Sequence, residues 1–228
     1  MGGSQEISLL LETEAWPEDA ERFLASLERH RGDRAVEVVP ADQAELGFGV
    51  ACNAALAKAT GDIVILVDTS LELTGDLLSD LVGALEDPTV ALTGPYGLIT
   101  ADLCDYEERT AGDVAAIQGY CLAARRADLL AVGGVQERFV WYRNADIDIS
   151  LRLRTMTPLG GSRRRCRGDT PRPPGSARRA VAIGAGHCTR HVHRAWEATP
   201  EAQRGDLSRH NMGIVHEAFF GRQDLTVR

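Results

Sequence analysis

Apolar residues along the chain fall into short β-branched runs separated by longer stretches with helical spacing. The first run, Ile7-Ser8-Leu9-Leu10-Leu11, stops before Pro17, a residue suited to the first turn of a helix. Glu18 and Asp19 follow where the positive end of a helix dipole favours acids. The spacing turns Phe23, Leu24 and Leu27 inward and ends the helix near Gly32. A second strand is expected from Ala35 to Val39, ended by Pro40, and then an alanine-rich helix from Val50 to Ala59. Gly61-Asp62 leads into Ile63-Val64-Ile65-Leu66-Val67, a continuous apolar run of the kind covered on both faces. The alternation predicts a βαβα opening and a parallel sheet.

Further along, a helix is expected from Asp76 to Leu85, closed by Asp87-Pro88, and a strand from Val90 to Thr93, closed by Gly94-Pro95. A strand from Ile117 to Ala123 precedes a helix around Ala127 to Val132 that ends at Gly133-Gly134. Between Asp146 and Arg154 the apolar Ile147, Ile149, Leu151 and Leu153 alternate with polar residues, which by period alone spells a strand. From 155 to 180 the composition shifts: seven arginines, four prolines and four glycines stand against one acid, Asp169. That segment reads as a basic loop or insertion. A short strand near Val181 to Ile183, a histidine-rich stretch and a C-terminal helix over 200–220 complete the chain.

With 228 residues and 44% hydrophobic content, the chain is expected to form one domain over 1–228 that needs no disulfide to hold its core. A net charge of -8 argues against a general nucleic-acid binder. Five cysteines, odd in number and never in a C-x-x-C pair, argue against a zinc or disulfide framework. No apolar run reaches membrane-spanning length, and Met1-Gly2-Gly3-Ser4-Gln5-Glu6 lacks the basic start and apolar stretch of a signal peptide. The expectation is a cytoplasmic protein without a membrane span.

The run ending at Val67 is followed at once by Asp68-Thr69-Ser70. In open α/β sheets ligands bind beyond the carboxyl ends of the strands, so this acid stands where chemistry is usually done; capping of the next turn is the plain alternative. Gly47-Phe48-Gly49-Val50-Ala51-Cys52-Asn53-Ala54-Ala55-Leu56, then Thr60-Gly61-Asp62 and the run through Ser70, resembles the nucleotide-sugar-binding core of family 2 glycosyltransferases. The resemblance continues at Gly119-Tyr120-Cys121-Leu122-Ala123-Ala124-Arg125-Arg126, at Val132-Gly133-Gly134-Val135-Gln136-Glu137-Arg138-Phe139, and at Asp146-Ile147-Asp148-Ile149-Ser150-Leu151-Arg152-Leu153. It covers roughly residues 5 to 155, with its motifs in the family's order.

This resemblance implies a GT-A fold, an α/β domain with a Rossmann-like, mostly parallel sheet flanked by helices. It implies an inverting, hexosyltransferase-like enzyme that moves a sugar from a nucleotide-diphosphate donor to an unknown hydroxyl acceptor. Asp68, Thr69 and Ser70 stand at the DxD motif, with serine in place of the last aspartate. Donor contacts are implied for these three and for Glu12, Asp42 and Asn53. Mg2+ or Mn2+ is the implied cofactor, with Asp68 and His191 as metal-side residues, because a hard divalent ion suits carboxylate and diphosphate oxygens. Asp146 matches the base that takes the acceptor proton, with Asp148 as the other candidate. The resemblance implies a helix for this segment; the glutamate usual before that base is Ala145 here, and Asp148 has the alternative of ordering Arg152 one turn later.

Arg190, His191 and His193 belong to a late basic segment of the kind that approaches donor phosphates; a structural role and a zinc site, with Cys188, are the other readings. Trp141 and Tyr142 read either as a sugar platform or as core anchors. The basic loop reads as a lid, a docking patch or an insertion without function. Ser70 and Ala145 favour a second reading of the whole chain, a weak or inactive nucleotide-sugar-binding homologue or interaction module. A nucleotidyltransferase is disfavoured, since Glu12-Thr13-Glu14-Ala15-Trp16-Pro17 is acidic and has no glycine to cradle phosphate.

Overall fold

In the computed structural model the described residues are 6–42, 47–103, 105–142, 144–156, 178–191 and 209–217. The elements run β1 (Ile7–Leu11), α1 (Pro17–His30), β2 (Val36–Pro40), α2 (Phe48–Lys58), β3 (Ile63–Val67), β4 (Leu71–Leu73), α3 (Leu77–Glu86), β5 (Val90–Gly94), β6 (Gly97–Ile99) and β7 (Glu107–Arg109). Then follow β8 (Ala111–Val114), β9 (Ala116–Ile117), β10 (Cys121–Arg125), α4 (Arg126–Ala131), α5 (Ala145–Thr155), β11 (Arg179–Ile183) and β12 (Cys188–Arg190). Residues 209–217 are helical and fall inside the C-terminal helix expected from sequence.

Seven strands form one sheet in the order β2-β1-β3-β10-β5-β11-β8. β2, β1, β3, β5 and β11 run the same way, while β10 and β8 run against them. The sheet is therefore mostly parallel, and the carboxyl ends of its parallel strands share one edge. Its two faces follow from the period of two: Ile7, Leu9, Leu11, Ile63 and Ile65 meet Phe23 and Leu27 of α1 and Leu77, Leu81 and Leu85 of α3. Leu10, Val64, Leu122 and Ala124 turn the other way, onto Leu56 of α2, Leu129 of α4 and Ile149 and Leu153 of α5. Helices on both faces of a buried parallel core are the α/β arrangement the apolar runs predicted.

Three expectations are refined. The strand foreseen from Ile117 to Ala123 is broken: β9 ends at Ile117 and β10 starts at Cys121, with residues 118–120 turning between them. The alternating segment from Asp146 is helix α5, as the family resemblance implied and the period did not. At the two ends of the basic loop, Thr155 closes α5 and Arg179 opens β11; residues 157–177 lie outside the described residues. No helix among the described residues is long and apolar enough to cross a membrane.

Candidate functional site

β3 delivers Asp68 to the carboxyl edge of the sheet, and a tight turn holds it there. Leu71 N–H donates to the Asp68 carbonyl at 3.0 Å, and Asp68 Oδ1 accepts from Ser70 N–H at 2.8 Å. This side-chain-to-backbone turn is the usual use of an aspartate before a tight bend. The β4–β12 pairing places Arg190 opposite Leu71, and His191 N–H donates to the Ser70 carbonyl at 2.7 Å. Thr69 and Ser70 are buried, and Ser70 Oγ is enclosed with no hydrogen-bond partner. A buried hydroxyl without a partner is uncommon and marks a place where a ligand oxygen or a cation would be favoured.

The break between β9 and β10 joins this turn to the second carboxylate. Asp68 N–H donates to the Tyr120 carbonyl at 3.0 Å, and Gly119 N–H donates to Asp146 Oδ2 at 2.9 Å. One tripeptide, Gln118-Gly119-Tyr120, thus touches both acids. A Cβ at the middle position would meet Asp146 at 3.5 Å, an ordinary van der Waals contact. Asp146 is half-buried in the first turn of α5, where Oδ1 also accepts from Ile147 N–H at 2.9 Å and the helix dipole favours negative charge.

Asp148 is placed differently. It is 0% exposed and accepts from Gln136 Nε2 at 2.7 Å and Arg152 Nε at 2.8 Å. Arg152, itself 2% exposed, also donates to the carbonyls of Val132 at 2.9 Å and Gly134 at 2.7 Å. The pair staples α5 to the Gly133-Gly134 turn, which is the Arg152-ordering role open to Asp148 from sequence. Asn53 belongs to the same staple: its amide donates to the Val135 carbonyl and accepts from the Val135 N–H, both at 2.8 Å. Gly134, at φ +71°, is needed beside it, since a Cβ would come within 2.3 Å of Asn53 Oδ1. Asn53 therefore ties α2 to the segment after the Gly133-Gly134 turn.

Asp42 and Glu12 shape the loop after β1. Asp42 Oδ1 accepts from Thr13 N–H at 2.7 Å, Thr13 Oγ1 at 2.9 Å and Glu14 N–H at 3.2 Å. Burial raises the Asp42 carboxyl, and these donors together outweigh it and hold the group below the usual range. Glu12 Oε1 accepts from the N–H groups of Glu14 and Ala15 at 3.1 Å each.

Arg190 lies 4.0 Å from the centre of the Tyr96 ring and 4.9 Å from that of Tyr120. It also makes a two-pronged ion pair with Glu108, at 2.8 and 3.1 Å, and Gln118 Nε2 donates to the same carboxylate at 2.8 Å. Burial pushes the Tyr96 hydroxyl up to about 12, so that ring is a neutral face for the cation. The His191 ring bonds Glu72 at 2.7 Å, and His193 lies outside the described residues. Tyr142 packs edge-on against Phe48, and the Trp141 carbonyl accepts from Asn211 at 3.2 Å. Sequence reasoning passed over Tyr96, Tyr120, Glu108 and Gln118. Tyr120 was the one with a signal, because it sits inside a motif segment; Glu108 reaches the site on β7, three exposed residues with no apolar pattern.

Among the described residues no group of three or more His, Cys, Asp or Glu side chains is gathered for a metal. What the turn offers is oxygen only: the Asp68 carboxylate and the partnerless Ser70 hydroxyl. Such a set fits a hard divalent ion whose remaining positions come from ligand oxygens and water, and it does not fit zinc.

Residues 17–111 match the model described as Glycosyl transferase family 2. Among solved structures the chain resembles GalNAc-T7 with UDP, GalNAc and Mn2+, at TM-score 0.64 and 13% identity, covering 95% of this chain and 48% of that one. It also resembles the mannosyltransferase PcManGT of Pyrobaculum calidifontis in complex with GDP-Man and Mn2+, at TM-score 0.57 and 15% identity, over 95% of this chain and 71% of that one. A third is the catalytic domain of Drosophila beta1,4galactosyltransferase 7 in complex with xylobiose, at TM-score 0.54 and 14% identity, over 90% and 79%. The chain thus spans about half the length of the first of these. No curated protein matches it in sequence. The resemblance read from the motifs stands, and the architecture is that of the GT-A glycosyltransferases.

Proposed function

We propose that this GT-A chain, matching glycosyl transferase family 2 over residues 17–111, moves a sugar from a nucleotide-diphosphate donor to a hydroxyl acceptor with inversion. The observation that carries the reading is the bridge of residues 118–120, which puts Asp68 and Asp146 on its two sides at the carboxyl edge of the sheet. The Asp68 turn receives the diphosphate. Asp146, fixed by Gly119 N–H, takes the proton of the acceptor hydroxyl as its oxygen attacks from the face opposite the nucleotide. Arg190, oriented by two tyrosine rings and paired with Glu108, borders the leaving-group side, where a diphosphate would compete with Glu108 for the guanidinium. Asp42 orders the loop that borders the nucleotide.

Asp68 and Ser70 would hold Mg2+ or Mn2+ together with the diphosphate oxygens. When bound, that ion supplies countercharge to the departing diphosphate. UDP, GDP-Man and Mn2+ accompany the structural neighbours, and these ligands are the first to try here. A second reading, donor binding with little turnover, is favoured by Ser70, a neutral ligand where the motif usually has a second carboxylate.

Thermal unfolding with UDP, GDP and their sugars at millimolar concentration, with and without Mn2+, tests the donor site. Ligand at a hundred times its Kd stabilises by about 2.7 kcal/mol, a clear rise in Tm. A flat Tm with every nucleotide and metal would refute the reading. A rise without transfer to any hydroxyl acceptor would select the second one.

A further inference from the structure

Among the described residues, three neighbours hold the main chain of the Asp68 turn. The Tyr120 carbonyl accepts from Asp68 N–H at 3.0 Å, and His191 N–H donates to the Ser70 carbonyl at 2.7 Å. Between them, Arg22 Nη2 of α1 donates to the Thr69 carbonyl at 2.9 Å. Of the three, only this last is made by a side chain, so it can be removed without disturbing a strand. The other end of the same guanidinium is fixed: Arg22 Nη1 pairs with Asp19 at 2.6 Å, and the Asp19 side chain is 6% exposed. Arg22 Nε is buried with no hydrogen-bond partner, so the group is arranged around its two outer nitrogens. A guanidinium is a rigid planar fork, and clamping both outer nitrogens fixes the distance between helix and turn.

We infer that Arg22 is a positioning residue of the donor site, which sets the Asp68–Ser70 turn through the Thr69 carbonyl without touching substrate. The inference rests on the donor-site reading above. Its physical content is that the turn's internal bonds, Ser70 N–H to Asp68 Oδ1 and Leu71 N–H to the Asp68 carbonyl, stay closed because Arg22 holds the peptide between them. An aspartate swinging with a loose turn presents its oxygens to the diphosphate side for only part of the time, and ligand affinity falls by that fraction.

The test compares Arg22→Met and Arg22→Lys with Arg29→Met, a control on the same helix whose side chain is 62% exposed and reaches Glu72 at 3.5 Å. Hydrogen exchange of the Ser70 and Leu71 amides reports the hold directly. Calorimetric binding of UDP or GDP with Mn2+, and the kcat and KM for donor, report its consequence. Arg22→Met is expected to speed exchange at the two amides about tenfold or more and weaken nucleotide binding to a similar degree. KM for donor should rise more than kcat falls, Arg22→Lys should recover part of the loss, and Arg29→Met should match the parent. Unchanged exchange in Arg22→Met overturns the inference. So does a rise spread evenly over β1, β3 and β5 with no recovery by lysine, which is general destabilisation. If the parent chain binds no nucleotide with Mn2+, the donor-site reading falls, and the exchange result still decides whether Arg22 holds the turn.

Discussion

The two ends of the seven-stranded sheet use charged residues in different proportions. At the amino ends of the parallel strands, cations are tied to carbonyls and to acids. Arg125 donates to the carbonyls of Val90 and Asp87 at 2.8 and 2.9 Å, and Arg154 to that of Ala115 at 2.9 Å. Arg178 pairs with Asp128 at 2.9 Å, and Arg179 with Asp113 at 2.6 Å. At the carboxyl ends, three acids accept from main-chain N–H groups, Asp42 from Thr13, Asp68 from Ser70 and Asp146 from Gly119, while Glu108 is tied to Arg190. Amide donors fix a carboxylate in space without cancelling its charge as a neighbouring arginine would. Asp148, fully buried and paired with Arg152, follows the other pattern.

Asp148→Asn tests that pairing with the largest expected effect. It keeps the shape of the side chain and strands the buried Arg152 guanidinium without countercharge. Breaking one partner of a buried pair costs about 3–5 kcal/mol, which for a chain of this size lowers Tm by on the order of 10 °C. Scanning calorimetry reads it. An unchanged Tm with lost turnover would instead place Asp148 in the chemistry.

Asp146→Asn comes next. It keeps a side chain able to accept from Gly119 N–H and removes the proton-accepting charge. Nucleotide affinity should stay within about threefold while turnover falls at least about a hundredfold, equivalent to roughly 2.7 kcal/mol of barrier. Full turnover in this variant would mean that the amide-held carboxylate is a cap and nothing more.

Sequence made the frame legible and left the boundary between these two aspartates hidden. β1, α1, β3 and α3 could be read because each buries one face or a whole apolar run, and their ends carry proline, glycine or a capping acid such as Asp76, which accepts from Ser79 N–H at 3.0 Å. Helix α5 could not be read by period, because Ile147 through Leu153 are all buried. A helix enclosed all round has no polar stripe, and its polar residues Asp148, Ser150 and Arg152 are satisfied inside the core, as in the bond from Ile117 N–H to Ser150 Oγ at 3.1 Å. Motif order favoured Asp146 as the base and left Asp148 as the other candidate, and packing separates them. Arg22 was equally hidden: on α1 it looks like any solvated helix residue, and its partner Thr69 lies 47 residues away.

The amino-end pattern predicts the smallest effect, and one of definite sign. The Arg179 guanidinium beside Asp113 holds its carboxyl below the usual range. A group whose folded pKa is depressed adds stability above its unfolded value, about 3.9, and loses it as pH falls through the folded one. Because the two side chains are 46% and 62% exposed, solvent screening keeps the contribution of the pair small, so Asp113→Asn should lower Tm by no more than about 2–4 °C at pH 7 and low salt. The difference from the parent should shrink as pH falls below the unfolded value and through the depressed folded one, and in about 1 M salt, where the Debye length is near 3 Å. The carboxyl-end acids answer differently, since the bonds to Asp42 are made to fixed amides that salt screens far less. Asp42→Asn should therefore keep its destabilisation in high salt. If both variants respond to salt alike, the two ends of the sheet do not differ in the way their hydrogen bonds indicate.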